Sequence, residues 1–442
     1  MKNNLLSVIY ISLLILILGC TTSKKETEKV VEEEYTTNDQ NPKWVSSLIN
    51  AYRTLNDNQS IEAANQLYEA AELMPKKNWE IYFMAATVYA PKNKNDKAFL
   101  SLDKAIQAGL RDSVLTATYP ALSNLRNDLR WNTLLHTISN KRRTYIQTIK
   151  NPELLKELEE MWAQDQLALS QYEEKTKALD SNASTEEYQL LFKPVEDRWE
   201  INRNKLDSII NIYGWPGNKL VGEDGAKISW AIPQHYPDVF FKQKCLSLIE
   251  KAMKKGDMDP NHYAELNDRI ARDTWQKQIY GASMAQGAPY PIKDPANVDR
   301  RRVELGLLEP IEVYAYFHGI KYQRPSVEEA KITLATSHQK ALHSFETFEK
   351  FIDQKNIDSA NTHITNAISF YGELSNEQLY QASLHLALFE NKRSKRICKK
   401  ILKVLIWRKW EGRFQIAKQS EFVSWYEKKE WLEITELLQK SQ

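Results

Sequence analysis

Small and apolar residues recur at a fixed offset early in the chain, and this repeat limits the folds open to it. Two sets lie 35 positions apart: Ala63, Leu67 and Ala70, then Ala98, Leu102 and Ala105. Within each set the spacing of four and three residues places the side chains on one face of a helix. Small residues on that face let helices approach closely. The offset therefore predicts antiparallel helix pairs with these alanines at helix contacts, and no strand over 60–110.

Glycine scarcity extends this expectation to the whole chain. Only 13 of 442 residues are glycine, about 3% where roughly 7% is usual, so the turn residues that many short strands need are missing. The predicted fold class is mainly α. We expect a helical-repeat region, a helical central domain with long loops, and a C-terminal region of helical hairpins.

The repeated segment resembles the tetratricopeptide repeat, which is close to 34 residues long. A capping element over 119–138 follows it. The same element is expected near the C-terminus, because four apolar residues there, Phe422, Trp425, Trp431 and Ile434, match Leu122, Leu125, Trp131 and Leu134. Between these ends, Ser326 with Glu329 and Ser375 with Gln378 have the spacing of helix capping boxes. We interpret 326–442 as degenerate helical repeats.

The first twenty residues are typical of an export signal. Lys2 precedes an apolar run from Leu5 to Leu18; 14 residues of helix reach only about 21 Å, short of the roughly 30 Å of a bilayer core. Ile17-Leu18-Gly19-Cys20 resembles the bacterial lipobox, which implies lipids on Cys20 and a membrane partner through that anchor. The predicted location is the cell envelope, on the outer membrane facing the periplasm. An ordinary secretory signal or an uncleaved anchor is the alternative.

Charge and motifs exclude several classes of function. A formal net charge of +2 supplies no field to hold a polyanion, so nucleic acid is not an expected partner. The sequence contains no HExxH, GxSxG, GxxxxGK[ST] or GxGxxG, and we expect no cofactor and no metal. Cys245 and Cys398 have no metal-ligand spacing; they are either free buried thiols or a disulfide.

Loops concentrate in one quarter of the chain, where 9 of 13 glycines and 8 of 15 prolines lie between 214 and 319. The motifs there are GWP at 214, VGEDGA at 221, QH at 234, DR at 268, YG at 280, VDRRR at 298 and GL at 306. In this order they resemble the uncharacterised bacterial family DUF6624, together with Asp165-Gln166 upstream. The resemblance covers roughly 152–320 and implies no established activity. The predicted segments are a signal peptide (1–19), a tether (20–41), tetratricopeptide-like repeats (42–140), a DUF6624-like domain (150–320) and C-terminal repeats (326–442).

Within the central quarter, His235 is the candidate acid or base, because an imidazole moves protons near neutral pH. Asp238 or Asp268 would orient it. Arg269 either clamps an anion or forms an ion pair with Asp299. The other candidate catalytic and binding positions are Trp215, Gln234, Tyr280, Asp299, Arg301 and Arg302. Each has a structural alternative, a core or loop contact.

A basic stripe, Lys392, Lys395, Arg396, Lys399 and Lys403, lies along one predicted helix. It either touches anionic envelope surfaces or is a solvated helix face.

Two functions follow from these observations. The first is a lipid-anchored scaffold that binds a protein or peptide partner. The second is an envelope enzyme in which His235 acts with Asp268 and Arg269. If the candidates form a site, His235 lies beside a pocket lined by at least two of the following: Asp238, Asp268, Arg269, Tyr280 and the segment Arg300 to Arg302.

Overall fold

The computed structural model describes residues 43–57, 60–177, 179, 184–285, 287–307, 309–318, 320–425 and 429–440. The predicted signal peptide and tether, with Cys20, lie outside the described residues. Across the described ranges the regular structure is helical, and β-pairing is limited to two isolated bridges. The predicted mainly α class is confirmed. None of the helices in these ranges is both long and apolar enough to cross a bilayer.

The N-terminal region consists of helices packed in sequence order: α1 (Lys43–Asp57), α2 (Ile61–Leu73), α3 (Trp79–Tyr89), α4 (Asn95–Gln107), α5 (Ser113–Thr118) and α6 (Arg130–Gln147). Helix α1 packs on α2, α2 on α3, and α3 on α4. The four predicted alanines on α2 and α4 are fully buried. No strand occurs over 60–110, as the 35-residue offset predicts.

The central region contains two long packed helices followed by shorter ones: α7 (Pro152–Lys177), α8 (Thr185–Tyr213), α9 (Asn218–His235), α10 (Val239–Lys254), α11 (Pro260–Asp273), α12 (Val298–Leu305) and α13 (Ile311–Phe317). Gly222 kinks α9 with a φ of 71°, a conformation that favours glycine. A Cβ there would overlap the Tyr145 hydroxyl. The glycine thus lets α9 approach the last helix of the N-terminal region.

The C-terminal region is built of helix hairpins: α14 (Val327–Asp353), α15 (Ile357–Ile368), α16 (Asn376–Ala387), α17 (Lys392–Trp407) and, after two 3₁₀ segments, α18 (Lys429–Lys440). Helix α14 packs on α15, and α16 packs on α17. Both predicted capping boxes form, Ser326 with Glu329 and Ser375 with Gln378.

The two ends that were predicted to be similar share a local structure, a 3₁₀ segment followed by a helix. A 3₁₀ segment, Pro120–Leu125, precedes α6, and a 3₁₀ segment, Ser420–Trp425, precedes α18. The matching residues Leu122 and Phe422 are both fully buried, and Trp131 and Trp431 are each 5% exposed. Both cores are therefore closed by the same local arrangement.

Polar contacts join the central region to each flank. On the N-terminal side, Arg142 lies 2.5 Å from Asp224 and also pairs with Glu159. On the C-terminal side, Arg408 at the end of α17 donates to the Thr274 carbonyl at 2.8 Å, and Lys277 pairs with Glu373. The first of these two contacts holds the end of α17 against the end of α11, and the second joins the segment after α11 to the loop between α15 and α16.

The two cysteines in the described ranges are buried and unpaired. Burial raises the pKa of the Cys245 thiol to about 12, which keeps it protonated and unreactive. The disulfide alternative is wrong.

Candidate functional site

His235 is the last residue of α9, and its Nδ1 lies 2.9 Å from Oδ2 of Asp165 on α7. The His235 side chain is 25% exposed and that of Asp165 is 3% exposed. Asp165 also accepts hydrogen bonds from Gln166 at 3.0 Å and Asn202 at 3.3 Å. The orienting carboxylate is therefore Asp165, not Asp238 or Asp268 as expected from the sequence.

The His235 ring is held between two indoles. Its centroid lies 5.5 Å from that of Trp162, nearly stacked, and 5.8 Å from that of Trp199. Trp162 and Asp165 are three residues apart on α7, so one helix face supplies both contacts. A carboxylate can only accept, so Nδ1 donates to Asp165, and Nε2 is the nitrogen left to exchange a proton.

Asp268 binds the backbone of a loop and does not contact the ring of His235. Its buried carboxylate accepts backbone N–H groups from Ile279 at 2.8 Å, Tyr280 at 3.0 Å and Ala282 at 2.8 Å. Three such bonds fix the turn that follows α11. The expectation that Asp268 acts directly on His235 is wrong.

The arginines of α12 bind the same loop. Arg301 donates to the Ile279 carbonyl at 2.9 Å, and Arg302, only 1% exposed, donates to the carbonyls of Tyr280 at 3.0 Å and Glu309 at 2.8 Å. Their guanidinium groups bind backbone carbonyl oxygens. Both arginines therefore have the structural role that was the alternative to an anion site.

Three other candidate residues make structural contacts. Asp238 caps α10 by accepting from the N–H groups of Phe240 and Phe241. Trp215 packs in the central core. Asp299 pairs with Arg324 at 3.1 Å, so the expected ion pair between Asp299 and Arg269 is wrong.

Arg269 contacts Gln234, the residue that directly precedes His235. Its Nε donates to Oε1 of Gln234 at 3.0 Å. Arg269, Gln234, His235 and Asp238 all line one cleft of about 470 Å³. Asp268, Tyr280 and the arginines of α12 are not part of its lining.

The opposite wall of this cleft comes from α17. Arg396, Lys399 and Lys403 of the predicted basic stripe line it, together with Lys400. Three of the five residues of the stripe therefore face this cleft, whereas Lys392 and Lys395 are not part of its lining. Residues from the central and C-terminal regions, about 130 positions apart in sequence, meet at this cleft.

A second cavity, of about 180 Å³, lies between the N-terminal region and the central region. Trp79, Trp162 and Trp230 line it together with Arg142 and Asp224. Trp162 thus belongs both to this cavity and to the contacts of His235.

Glu265 is a partly buried acid that sequence reasoning missed. Burial raises its pKa to about 7, and it accepts the Tyr314 hydroxyl at 2.8 Å. It lies on α11 one turn before Arg269. A glutamate in an amphipathic helix ordinarily faces solvent, so the pattern alone gave no signal for it.

No group of three or more histidine, cysteine, aspartate or glutamate side chains suited to a metal ion occurs within the ranges that the structure covers.

The comparison with protein families matches the central part of the chain. Residues 152–323 match DUF6624, a family of unknown function. The DUF6624 match begins with α7 and ends before α14, so it contains Asp165, His235 and Arg269 but not α17. No curated protein and no solved structure matches the chain.

Proposed function

We propose that this protein is a lipid-anchored scaffold of the cell envelope that holds a partner protein at the cleft beside His235. The observation that supports this proposal is the cleft. Its walls come from the DUF6624-matching residues and from the C-terminal helices, so the two regions jointly form a concave surface, as is usual for binding sites. The helical regions on both sides then act as the frame that positions it.

The anchor belongs to the same proposal. A lipid on Cys20, followed by the polar segment to residue 41, would tether the helical body to the outer membrane facing the periplasm. Binding would then occur close to that membrane.

Photo-crosslinking in native envelope membranes tests the partner. A photoreactive amino acid replaces Val239, which lines the cleft, and in a matched variant it replaces Leu388, which is 66% exposed on the C-terminal region. The proposal expects a discrete crosslinked protein from position 239 and not from 388. Identical products from both positions, or none from 239, would contradict it.

A second function, acid–base catalysis, is favoured by the pair of His235 and Asp165. The carboxylate fixes the tautomer in which Nε2 can accept a proton from water or a hydroxyl. Arg269 lies beside it and can hold an anionic substrate group. Asp165 takes the role that the sequence assigned to Asp268.

Chromogenic phosphate and acyl esters test the enzyme. His235→Gln should lower any hydrolysis by about 10²-fold or more, the usual contribution of general acid–base catalysis. The control is His338→Gln, because His338 also contacts a carboxylate, Glu373 at 3.1 Å, but on the C-terminal region. Equal rates in the two variants, or no hydrolysis by the wild type, would exclude this function for these esters.

A further inference from the structure

The cleft beside His235 holds a strong excess of positive charge. Its acidic lining residues are Asp238 and Asp273, and its basic ones are Lys242, Arg269, Arg272, Arg396, Lys399, Lys400 and Lys403. Glu433 of α18 adds one acid by pairing with Lys399 and Lys403. Seven cations against three carboxylates leave an excess of four positive charges.

The carboxylates near the cleft are already engaged. Asp273 pairs with the buried Lys242 and with Arg272. Asp238 is occupied by the N–H groups at the start of α10. Among the described residues, no carboxylate lies within salt-bridge distance of Arg269, Arg396 or Lys400, and Lys400 lies 5.0 Å from the centre of the Trp275 ring.

These cations repel one another in a partly buried place. Burial lowers the pKa of Lys242, and Arg269 and Arg272 lower it further, against the opposing effect of Asp273. Burial and Arg272 likewise lower the pKa of Arg269. A bound anion would relieve this repulsion, since opposite charge stabilises the protonated forms.

The cleft is not polar throughout. Val239, Phe240, Val404 and Leu437 line it as well. Its occupant must therefore match a cluster of cations and also cover an apolar surface.

We infer that the cleft binds an organic ligand bearing a diphosphate or two phosphate groups, with an apolar part against Phe240 and Val404. A phosphate carries about −1.5 to −2 charges, so two of them match an excess of four, which a single carboxylate does not. Arginine forks bind phosphate oxygens in pairs. Such phosphates come either from a membrane lipid headgroup or from a soluble phosphorylated molecule. This inference rests on the proposed function only for the place of the site, and it adds a small phosphorylated ligand to the cleft that is proposed to hold the partner protein.

Calorimetric titration of the purified full-length protein tests the class. Inorganic diphosphate supplies the charge, and citrate at equal ionic strength supplies a carboxylate of comparable charge. Vesicles of phosphatidylcholine with and without diacylglycerol diphosphate test the lipid source. We expect diphosphate to bind at least tenfold more tightly than citrate and to raise the melting temperature. Added binding to the vesicles that contain diacylglycerol diphosphate would assign the lipid source, and its absence the soluble one.

Variants on one helix locate the binding. Arg396→Gln and Lys400→Gln each remove a cleft cation and should each weaken diphosphate binding by about tenfold, the loss of one charged hydrogen bond. The matched control, Arg393→Gln, removes an exposed arginine of the same helix outside the cleft and should bind as the wild type does.

Three results would overturn the inference: no diphosphate binding, citrate binding as tight, or equal losses in Arg393→Gln and Arg396→Gln. A crosslinked partner at position 239 without diphosphate binding would refute the ligand class and leave the scaffold proposal standing. Diphosphate binding without a crosslink would support the ligand class and refute the scaffold proposal.

Discussion

The bond between His235 and Asp165 makes a measurable thermodynamic prediction. His235→Phe keeps an aromatic ring between Trp162 and Trp199 but removes Nδ1. A hydrogen bond to a charged acceptor contributes about 1.5 to 3 kcal/mol, and a side chain that is one-quarter exposed belongs in the lower half of that range. We expect His235→Phe to lower the free energy of unfolding by about 1.5 to 2 kcal/mol.

Asp165→Asn perturbs the other side of the same bond. Its buried oxygens accept from three side chains, and the amide replaces one acceptor with a donor. The expected loss is about 2 to 3 kcal/mol. His235→Phe removes this contact and Asp165→Asn replaces its charged acceptor with a neutral amide, so the double variant should fall short of the sum by about 1 to 2 kcal/mol.

Urea unfolding followed by far-ultraviolet circular dichroism measures this cycle without relying on tryptophan signals. The control cycle is Lys193→Ala with Asp197→Ala, an ion pair whose side chains are 60% and 59% exposed, because exposed pairs contribute only about 0.2 to 1 kcal/mol. Additivity of His235→Phe and Asp165→Asn within about 0.5 kcal/mol would refute the contact and its orienting role.

Three further predictions concern the kink, the anchor and a partly buried acid. Gly222→Ala should lower the free energy of unfolding by about 2 to 3 kcal/mol, because its φ of 71° is strained for alanine and the methyl group meets Tyr145; an unchanged urea midpoint would contradict this. Cys20→Ala should abolish metabolic labelling by a fatty-acid probe, and equal labelling of both proteins would remove the anchor. Because burial raises the pKa of Glu265 from 4.5 to about 7, the folded protein keeps a proton that the unfolded chain releases, and stability falls as pH rises through that interval. Glu265→Gln should flatten this slope and raise the free energy of unfolding at pH 8 by roughly 1 to 3 kcal/mol; an unchanged pH profile would count against it.

Features encoded by short spacings were predictable from the sequence. The alanines within each repeat and the two capping boxes act within one or two helical turns, and the apolar residues shared by 122–134 and 422–434 recur at identical spacing. Local periodicity dictates such features because the interacting residues are close in the chain.

The partner of His235 depends on tertiary packing. Asp165 is 70 residues away. The family resemblance includes it but assigns it no role, and Asp238 and Asp268 are nearer to His235 in sequence. Each of those two has backbone N–H groups as partners, which no spacing pattern reveals. The cleft was not predicted for the same reason: Arg269 and the α17 stripe are far apart in sequence, and only the tertiary fold brings them together.

The placement of His235 between two tryptophans also gives the molecule an optical signal of its own. An indole beside an imidazole loses emission when the imidazole gains a proton, and the centroids lie 5.5 and 5.8 Å apart here. The difference in emission between the wild type and His235→Phe isolates these two indoles from the 12 tryptophans of the chain. The proton on this histidine can therefore be followed by tryptophan fluorescence, with no label attached.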